Sequence, residues 1–369
     1  EWVHPPLGRH LIAAGILLFG DDPFGWRIAS VIAGASGIVL AYRLGLVLTN
    51  RMSIAILTAG LLLMDGLYFV ESRTAVIDIF GTVFTMAALL SFAGYLTAPP
   101  ERARWPLIQT GIFMGLGIAT KWNPAYPLGA MALVAVWRLS QLWRETRLER
   151  APQTAWMGFR EHVIGVPIGL VAIRIVEYVA AYVPFFLAGH SLSMFLSLQR
   201  HMLDFQLHFT GTFDYSSRWW EWPLALRPVW HGATNYADGR VANTYANGNP
   251  FLYWAFQPAL FWVGLRWWRS RHWALVVLLI GFFGQWLPWV LVSRATFAYH
   301  FLPAVPFGCL GVARAVADLY QGNTAGRRTL AIGYVVLVVA AFAFFYPIYS
   351  FLPLSERPLE LRLWLPSWR

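Results

Sequence analysis

Residues 25–48, GWRIASVIAGASGIVLAYRLGLVL, run on across Thr49-Asn50-Arg51 into MSIAILTAGLLLMDGLYFV at 52–70. In the first stretch the only charges are Arg27 and Arg43, toward its two ends; in the second the only charge is Asp65. A helix rises 1.5 Å per residue, so about 20 apolar residues cross a hydrocarbon core about 30 Å thick. Both stretches therefore read as membrane spans. Similar segments recur at 74–96, 106–120, 123–139, 163–186, 251–268, 273–292, 296–318 and 329–349, giving about ten crossings in all. Residues 10–20 are apolar but too short to cross. Between Pro5-Pro6 and Gly20-Asp21-Asp22 they read as a helix lying in the interface. The pattern predicts an all-α polytopic membrane protein.

Composition agrees. Of 369 residues 58% are hydrophobic and 12% charged, with a mean hydropathy of +0.52. A soluble domain carries about twice that share of charge. The net charge of +10 reflects arginine in short loops beside anionic lipid headgroups, not a nucleic-acid surface. Only Lys121 among the 28 basic residues is lysine, which points to a GC-rich genome and hence a bacterium. The single Cys309 excludes an internal disulfide and reads as a packing residue.

The arginines set the orientation. Arg43 and Arg51; Arg102 and Arg104; Arg138, Arg144, Arg147, Arg150 and Arg160; Arg266, Arg269 and Arg271; and Arg327 and Arg328 all fall on one side if the spans alternate. That side is expected to be cytoplasmic. The expected organisation is an external juxtamembrane segment (1–24), an N-terminal bundle (25–186), an external Trp/His-rich loop (187–250), a C-terminal bundle (251–349) and an external interfacial tail (350–369). Trp219, Trp220, Trp222 and Trp230 place the loop on the outer leaflet rather than in a separate domain.

The opposite ends of the spans gather the unusual polar residues: Arg27; Asp65, Glu71, Arg73 and Asp78; Lys121 and Asn123; Arg294, Tyr299 and His300. Charges at membrane depth are costly and mark sites. Arginine and lysine converging at one face suit a phosphate or pyrophosphate. Taken singly, each also has a local reading: Arg73 paired with Glu71 or Asp78, and Lys121 with a helix-end carbonyl. Arg174 and Glu177, three apart inside a span, read as a buried structural ion pair. No His-Glu-x-x-His, glycine-rich nucleotide loop or Gly-x-Ser-x-Gly occurs, so no metal is expected, and neither nucleotide-driven nor serine-hydrolase chemistry.

His4-Pro5-Pro6-Leu7-Gly8 and Pro23-Phe24-Gly25-Trp26-Arg27 resemble the bacterial protein O-mannosyltransferases. So do Asp65-Gly66-Leu67-Tyr68-Phe69-Val70-Glu71-Ser72-Arg73 with Asp78-Ile79-Phe80, and Ala119-Thr120-Lys121-Trp122. Trp219–Pro223, Leu226-Arg227-Pro228-Val229, Gly248-Asn249-Pro250 and Tyr299-His300-Phe301-Leu302-Pro303-Ala304 continue the series, in order, over the whole chain.

The resemblance implies a GT-C glycosyltransferase in a bacterial plasma membrane with its active face external. It would move mannose, with inversion, from polyprenyl-phosphate mannose to Ser or Thr hydroxyls of exported polypeptides. The lipid-linked donor is then a substrate, and no further cofactor is implied. Membrane lipids and the protein-export machinery are the other implied partners.

On this reading Arg27, Arg73 and Lys121 hold the donor phosphate, and His4, Asp65, Asp78, Asn123, Tyr299 and His300 line the site, with Asp78 orienting Arg73. The family carries a further N-terminal span and an external Asp-Glu pair, whose aspartate is its general base, upstream of His-Pro-Pro. The base is accordingly expected before residue 1, and this chain alone is expected to be inactive. Arg218 stands where the family pattern has proline. Three rivals remain: a lipid-donor transferase for another sugar or acceptor, a transporter, and a non-catalytic binding subunit.

Overall fold

The computed structural model describes all residues except 1–2, 100–101, 148–155, 157–159, 161–162 and 166. Arg150, one of the loop arginines, lies outside the described residues. An amphipathic helix α1 (Leu7–Phe19) precedes the long α2 (Pro23–Thr49). Asp22 caps α2 by accepting from the Phe24 and Gly25 amides at 2.8 and 2.9 Å, and Pro23 supplies the fixed φ of a first helical residue. Next come α3 (Met52–Leu63), α4 (Gly66–Arg73), α5 (Asp78–Thr97), α6 (Arg104–Thr120) and α7 (Leu128–Arg147).

After α7, a π-helical stretch (Ile168–Ala172) leads into α8 (Ile173–Ala180) and α9 (Val183–Leu187). The C-terminal half holds α10 (Leu192–His208), α11 (Pro250–Ser270), α12 (Trp273–Trp286), α13 (Val305–Tyr320), α14 (Ala325–Tyr349) and the short α15 (Glu356–Glu360). Among the described residues, five helical segments are long and apolar enough to cross a membrane unaided, and the bent pair α3–α4 makes a sixth. The other apolar segments expected from the sequence are helical but shorter, broken or less apolar.

One expectation needs correction. The stretch 52–70 is not one straight span: α3 and α4 meet at 66°. The cause is Asp65, which turns its carboxylate back onto the Tyr68 amide as a helix cap at 2.7 Å, so a new helix starts there. Gly66 then lies so close to the Tyr349 ring and the Asn247 carbonyl that a Cβ would fall 2.1 and 2.4 Å from them.

The expected loop at 187–250 and the tail also carry a small sheet. Val229–Asn235 (β1) and Val241–Ala246 (β2) form an antiparallel hairpin, and the tail adds Pro353–Leu354 (β3) to β2, with Val241 opposite Leu354. Loop and tail thus make one layer. It is fastened by indole donors: Trp222 to Ser217 Oγ at 3.0 Å, Trp286 to the Trp219 carbonyl at 2.8 Å, and Trp368 to the Ala225 carbonyl at 2.9 Å. Buried Trp222 and Trp368 continue the bundle core into this layer.

Candidate active site

The polar residues named above meet where the bundle abuts the loop-and-tail layer. Asp78 opens α5, and Lys121 leaves α6 in extended backbone. Lys121 Nζ donates to Asp78 Oδ1 at 2.7 Å, with both side chains under a tenth exposed, and it sits 5.0 Å from the centre of the Tyr299 ring. Tyr299 and His300 belong to the 3-10 helix Ala298–Ala304. His300 is buried: its Nδ1 takes the Phe297 amide proton at 2.9 Å, and its ring lies 4.3 Å from Trp289. Asn123 is buried in the next turn, the 3-10 helix Asn123–Ala125.

His4 reaches this group from the other side. Its segment docks because Gly8 comes against Ile77 and Thr120, where a Cβ would stand 2.8 Å from the Ile77 side chain. Gln206 of α10 also donates to the Val3 carbonyl at 3.0 Å. Burial first, then the charges of Lys121, Arg294 and Arg9, hold His4 down at a pKa of about 2, so the imidazole is neutral. Burial likewise holds the Arg294 guanidinium below its usual range; its Nη1 donates to the Ala295 carbonyl at 2.9 Å, while Nε is buried without a partner.

Helix α4 joins this group to a second one. Glu71, 1% exposed, accepts from His231 Nε2 of β1 at 3.1 Å and lies within electrostatic reach of Asp78 and Lys121. Two residues on, Arg73 donates to the Tyr349 carbonyl at 2.9 Å and rests on the Phe69 ring. Arg27 is close enough for its charge to act on Arg73. Neither guanidinium has a carboxylate within 4.0 Å among the described residues.

The sequence reading is thus redrawn. Asp78 holds Lys121, not Arg73, and Arg73 pairs with neither Glu71 nor Asp78. Lys121 meets a carboxylate rather than a helix-end carbonyl. Asp65 is fully buried and holds both the Tyr68 amide and, at 3.2 Å, the Asn249 amide, so its role is to cap and tie. The structure brings His4, Asp78, Lys121, Tyr299 and His300 together, and sets Arg27 beside Arg73.

The Glu71–His231 pair and a polar cleft of about 920 Å³ went unread. Arg294, Ser217, Arg218, Glu221 and Thr296 are among its lining, so Arg294 stands between cluster and cleft. Glu71 sits in the Glu71-Ser72-Arg73 motif, but its partner lies 160 positions away, and spacing cannot reveal that. Among the described residues no group of three or more His, Cys, Asp or Glu side chains is placed to hold a metal ion. Arg174 and Glu177 interact electrostatically, but no ion-pair contact joins them; Glu177 presses on α6 at Gly115.

The fold is a helical bundle with a cationic cluster at one end, under a Trp-rich layer. Superposition supports the fold. The Saccharomyces cerevisiae protein O-mannosyltransferase Pmt1-Pmt2 complex bound to the sugar donor matches with a TM-score of 0.85 at 14% identity, over 100% of this chain and 86% of that one. ArnT from Cupriavidus metallidurans bound to undecaprenyl phosphate matches with a TM-score of 0.57 at 17% identity, over 94% and 61%.

Sequence comparison is more specific. Residues 19–186 match the dolichyl-phosphate-mannose-protein mannosyltransferase family, and 191–368 match the C-terminal four-transmembrane region of protein O-mannosyltransferases. The polyprenol-phosphate-mannose–protein mannosyltransferase of Mycobacterium tuberculosis is 30% identical, across 100% of this chain and 81% of its own length. The chain belongs to the protein O-mannosyltransferase family.

Proposed function

We propose that this protein transfers mannose from a polyprenyl-phosphate donor to Ser or Thr hydroxyls of polypeptides, with Arg27 and Arg73 holding the donor phosphate. Family membership supports the reaction. The observation that carries the site is a pair of neighbouring guanidiniums with no carboxylate within 4.0 Å of either among the described residues. Like charges repel, and a bound phosphate reverses the sign of that interaction while accepting bidentate hydrogen bonds.

In the reaction the acceptor hydroxyl oxygen bonds to the anomeric carbon, the carbon–oxygen bond to phosphate breaks, and the hydroxyl proton is released to water. The leaving polyprenyl phosphate gains negative charge. Arg27 and Arg73 stabilise that charge as it develops. Lys121 contributes from within its pair with Asp78, adding positive potential beside the phosphate. Asp78, Glu71 and Asp65 are each committed to a partner, which leaves none of them as an unengaged base for the acceptor hydroxyl. The 920 Å³ cleft, open beside Arg294 and rich in hydroxyl and backbone groups, is the approach route that suits an extended acceptor chain. The arginine asymmetry supports a plasma-membrane orientation in which this face is external and the acceptors are exported polypeptides.

Membranes carrying the protein, supplied with polyprenyl-phosphate [14C]mannose and a Ser/Thr peptide, test the reading. With the general base that the resemblance places upstream of residue 1 supplied in the expressed protein, label should pass to the peptide, and Arg27→Ala should slow it at least tenfold without loss of folded protein. Equal transfer by Arg27→Ala overturns the phosphate assignment. Label reaching a lipid or glycan but no peptide overturns the acceptor.

A further inference from the structure

At the arginine-rich face, four arginines from four different parts of the chain line one cleft of about 520 Å³. Arg51 comes from the α2–α3 turn, Arg266 from α11, Arg314 from α13 and Arg327 from the first turn of α14. Asp318 is the single acid in the lining. One of its oxygens, Oδ2, already takes Arg266 at 2.6 Å, Arg314 at 3.3 Å and the Trp262 indole at 3.2 Å. Arg51 donates to Gln321 Oε1 at 2.8 Å, a neutral partner. The cleft therefore keeps a surplus of positive charge. Arg51 and Arg327 also sit at the starts of α3 and α14, neither of which has a side-chain cap, so two helix dipoles add to that potential.

A second cavity adjoins the first. A groove of about 480 Å³ between α3, α13 and α14 is walled by Leu57, Val316, Ile332, Val335 and Val336, among others, and shares Gln321 with the arginine cleft. It is almost wholly apolar. A cationic cleft on the arginine-rich side, joined through Gln321 to an apolar groove, has the shape and polarity of an anionic phospholipid. An anion alone would leave the groove unexplained, and a neutral lipid would leave the cationic surplus uncompensated. We infer that this paired cleft and groove binds one anionic phospholipid of the leaflet on the arginine side, its phosphate among Arg51, Arg266 and Arg327 and an acyl chain along α13 and α14. The site lies away from the candidate active site and does not depend on its reading.

The protein reconstituted into nanodiscs of phosphatidylcholine with spin-labelled phosphatidylglycerol or spin-labelled phosphatidylcholine gives the test. A motionally restricted phosphatidylglycerol component should exceed that of phosphatidylcholine. Its affinity should fall roughly tenfold in Arg51→Ala/Arg327→Ala, because each cation near a headgroup carries an appreciable share of the attraction. Ile332→Trp, at a half-exposed wall position of the groove, should displace the acyl chain and lower it too, while circular dichroism stays that of wild type. Equal restriction of the two lipids, or no change in the double arginine variant, overturns the inference. If inorganic phosphate competes fully and Ile332→Trp is silent, the cleft takes a free anion, and the lipid assignment is again overturned.

Discussion

Replacing Asp78 with Asn should destabilise the protein before it affects any substrate. At 2.7 Å the gross attraction between Lys121 and Asp78 is about 6 kcal/mol at an effective dielectric near 20. Much of that is offset by the desolvation of both groups, so the pair adds little net stability. Breaking it is another matter, because Asp78→Asn strands a buried ammonium beside the Tyr299 ring. Loss of one partner of such a pair costs about 3–5 kcal/mol. In a chain of 369 residues that lowers the unfolding temperature by roughly 4–6 °C. Lys121→Met should cost a similar amount through an unpaired carboxylate. The double variant Asp78→Asn/Lys121→Met should recover a good part of the loss, since no buried charge remains. Thermal unfolding in detergent, read as a double-mutant cycle, measures the coupling. If Asp78→Asn stays within 1 kcal/mol of wild type and the double variant gains nothing, Lys121 is not held by Asp78, and its ammonium is free to act as a direct phosphate ligand.

Three further outcomes follow from the geometry. Asp65→Ala removes the α4 cap and leaves the Asn249 amide unpaired, for a loss of about 2–4 kcal/mol in the same unfolding assay, with wild-type stability contradicting the capping role. Docked His4 stays neutral, whereas the released imidazole takes up a proton below its ordinary value of 6.5; docking therefore holds above pH 6.5 and weakens as pH falls from there, by about 2 kcal/mol at pH 5. The protection factors of residues 7–19, exchange corrected for the intrinsic rate at each pH, should fall on acidification in wild type and not in His4→Gln, and an equal pH response in both defeats the argument. For topology, an impermeant thiol reagent on intact cells should label Asn235→Cys and spare Arg144→Cys, against a low background because Cys309 is buried; the reverse pattern inverts the orientation.

Much of the bundle was legible because a membrane solvent leaves few choices: apolar runs of span length become helices, and arginine marks their loops. The bend at Met64-Asp65 was harder to read. A lone Asp in an apolar run looks like a functional charge, and only the Tyr68 and Asn249 amides show it to be a cap. The hairpin at 229–246 was hidden because its third strand comes from the tail, more than a hundred residues on.

The site was legible as a set of residues, not as a set of pairs. Lys121, Asp78, Tyr299 and His300 stand close together in the structure. Which carboxylate meets which cation depends on α5 and α6 lying side by side, and on Arg73 turning to the end of α14. Neither is encoded in local spacing. His231 was missed for the same reason, since Glu71 meets it only through the fold of the hairpin.

The most direct test of the account is the equilibrium affinity of the purified protein for polyprenyl phosphate, the product left after transfer, in wild type and Arg27→Ala. A charge-assisted hydrogen bond in a partly dry site is worth about 1.5–3 kcal/mol. The account predicts that Arg27→Ala binds polyprenyl phosphate roughly tenfold to a hundredfold more weakly while unfolding at the wild-type temperature. Unchanged affinity in a folded Arg27→Ala protein would contradict it and place the donor phosphate elsewhere.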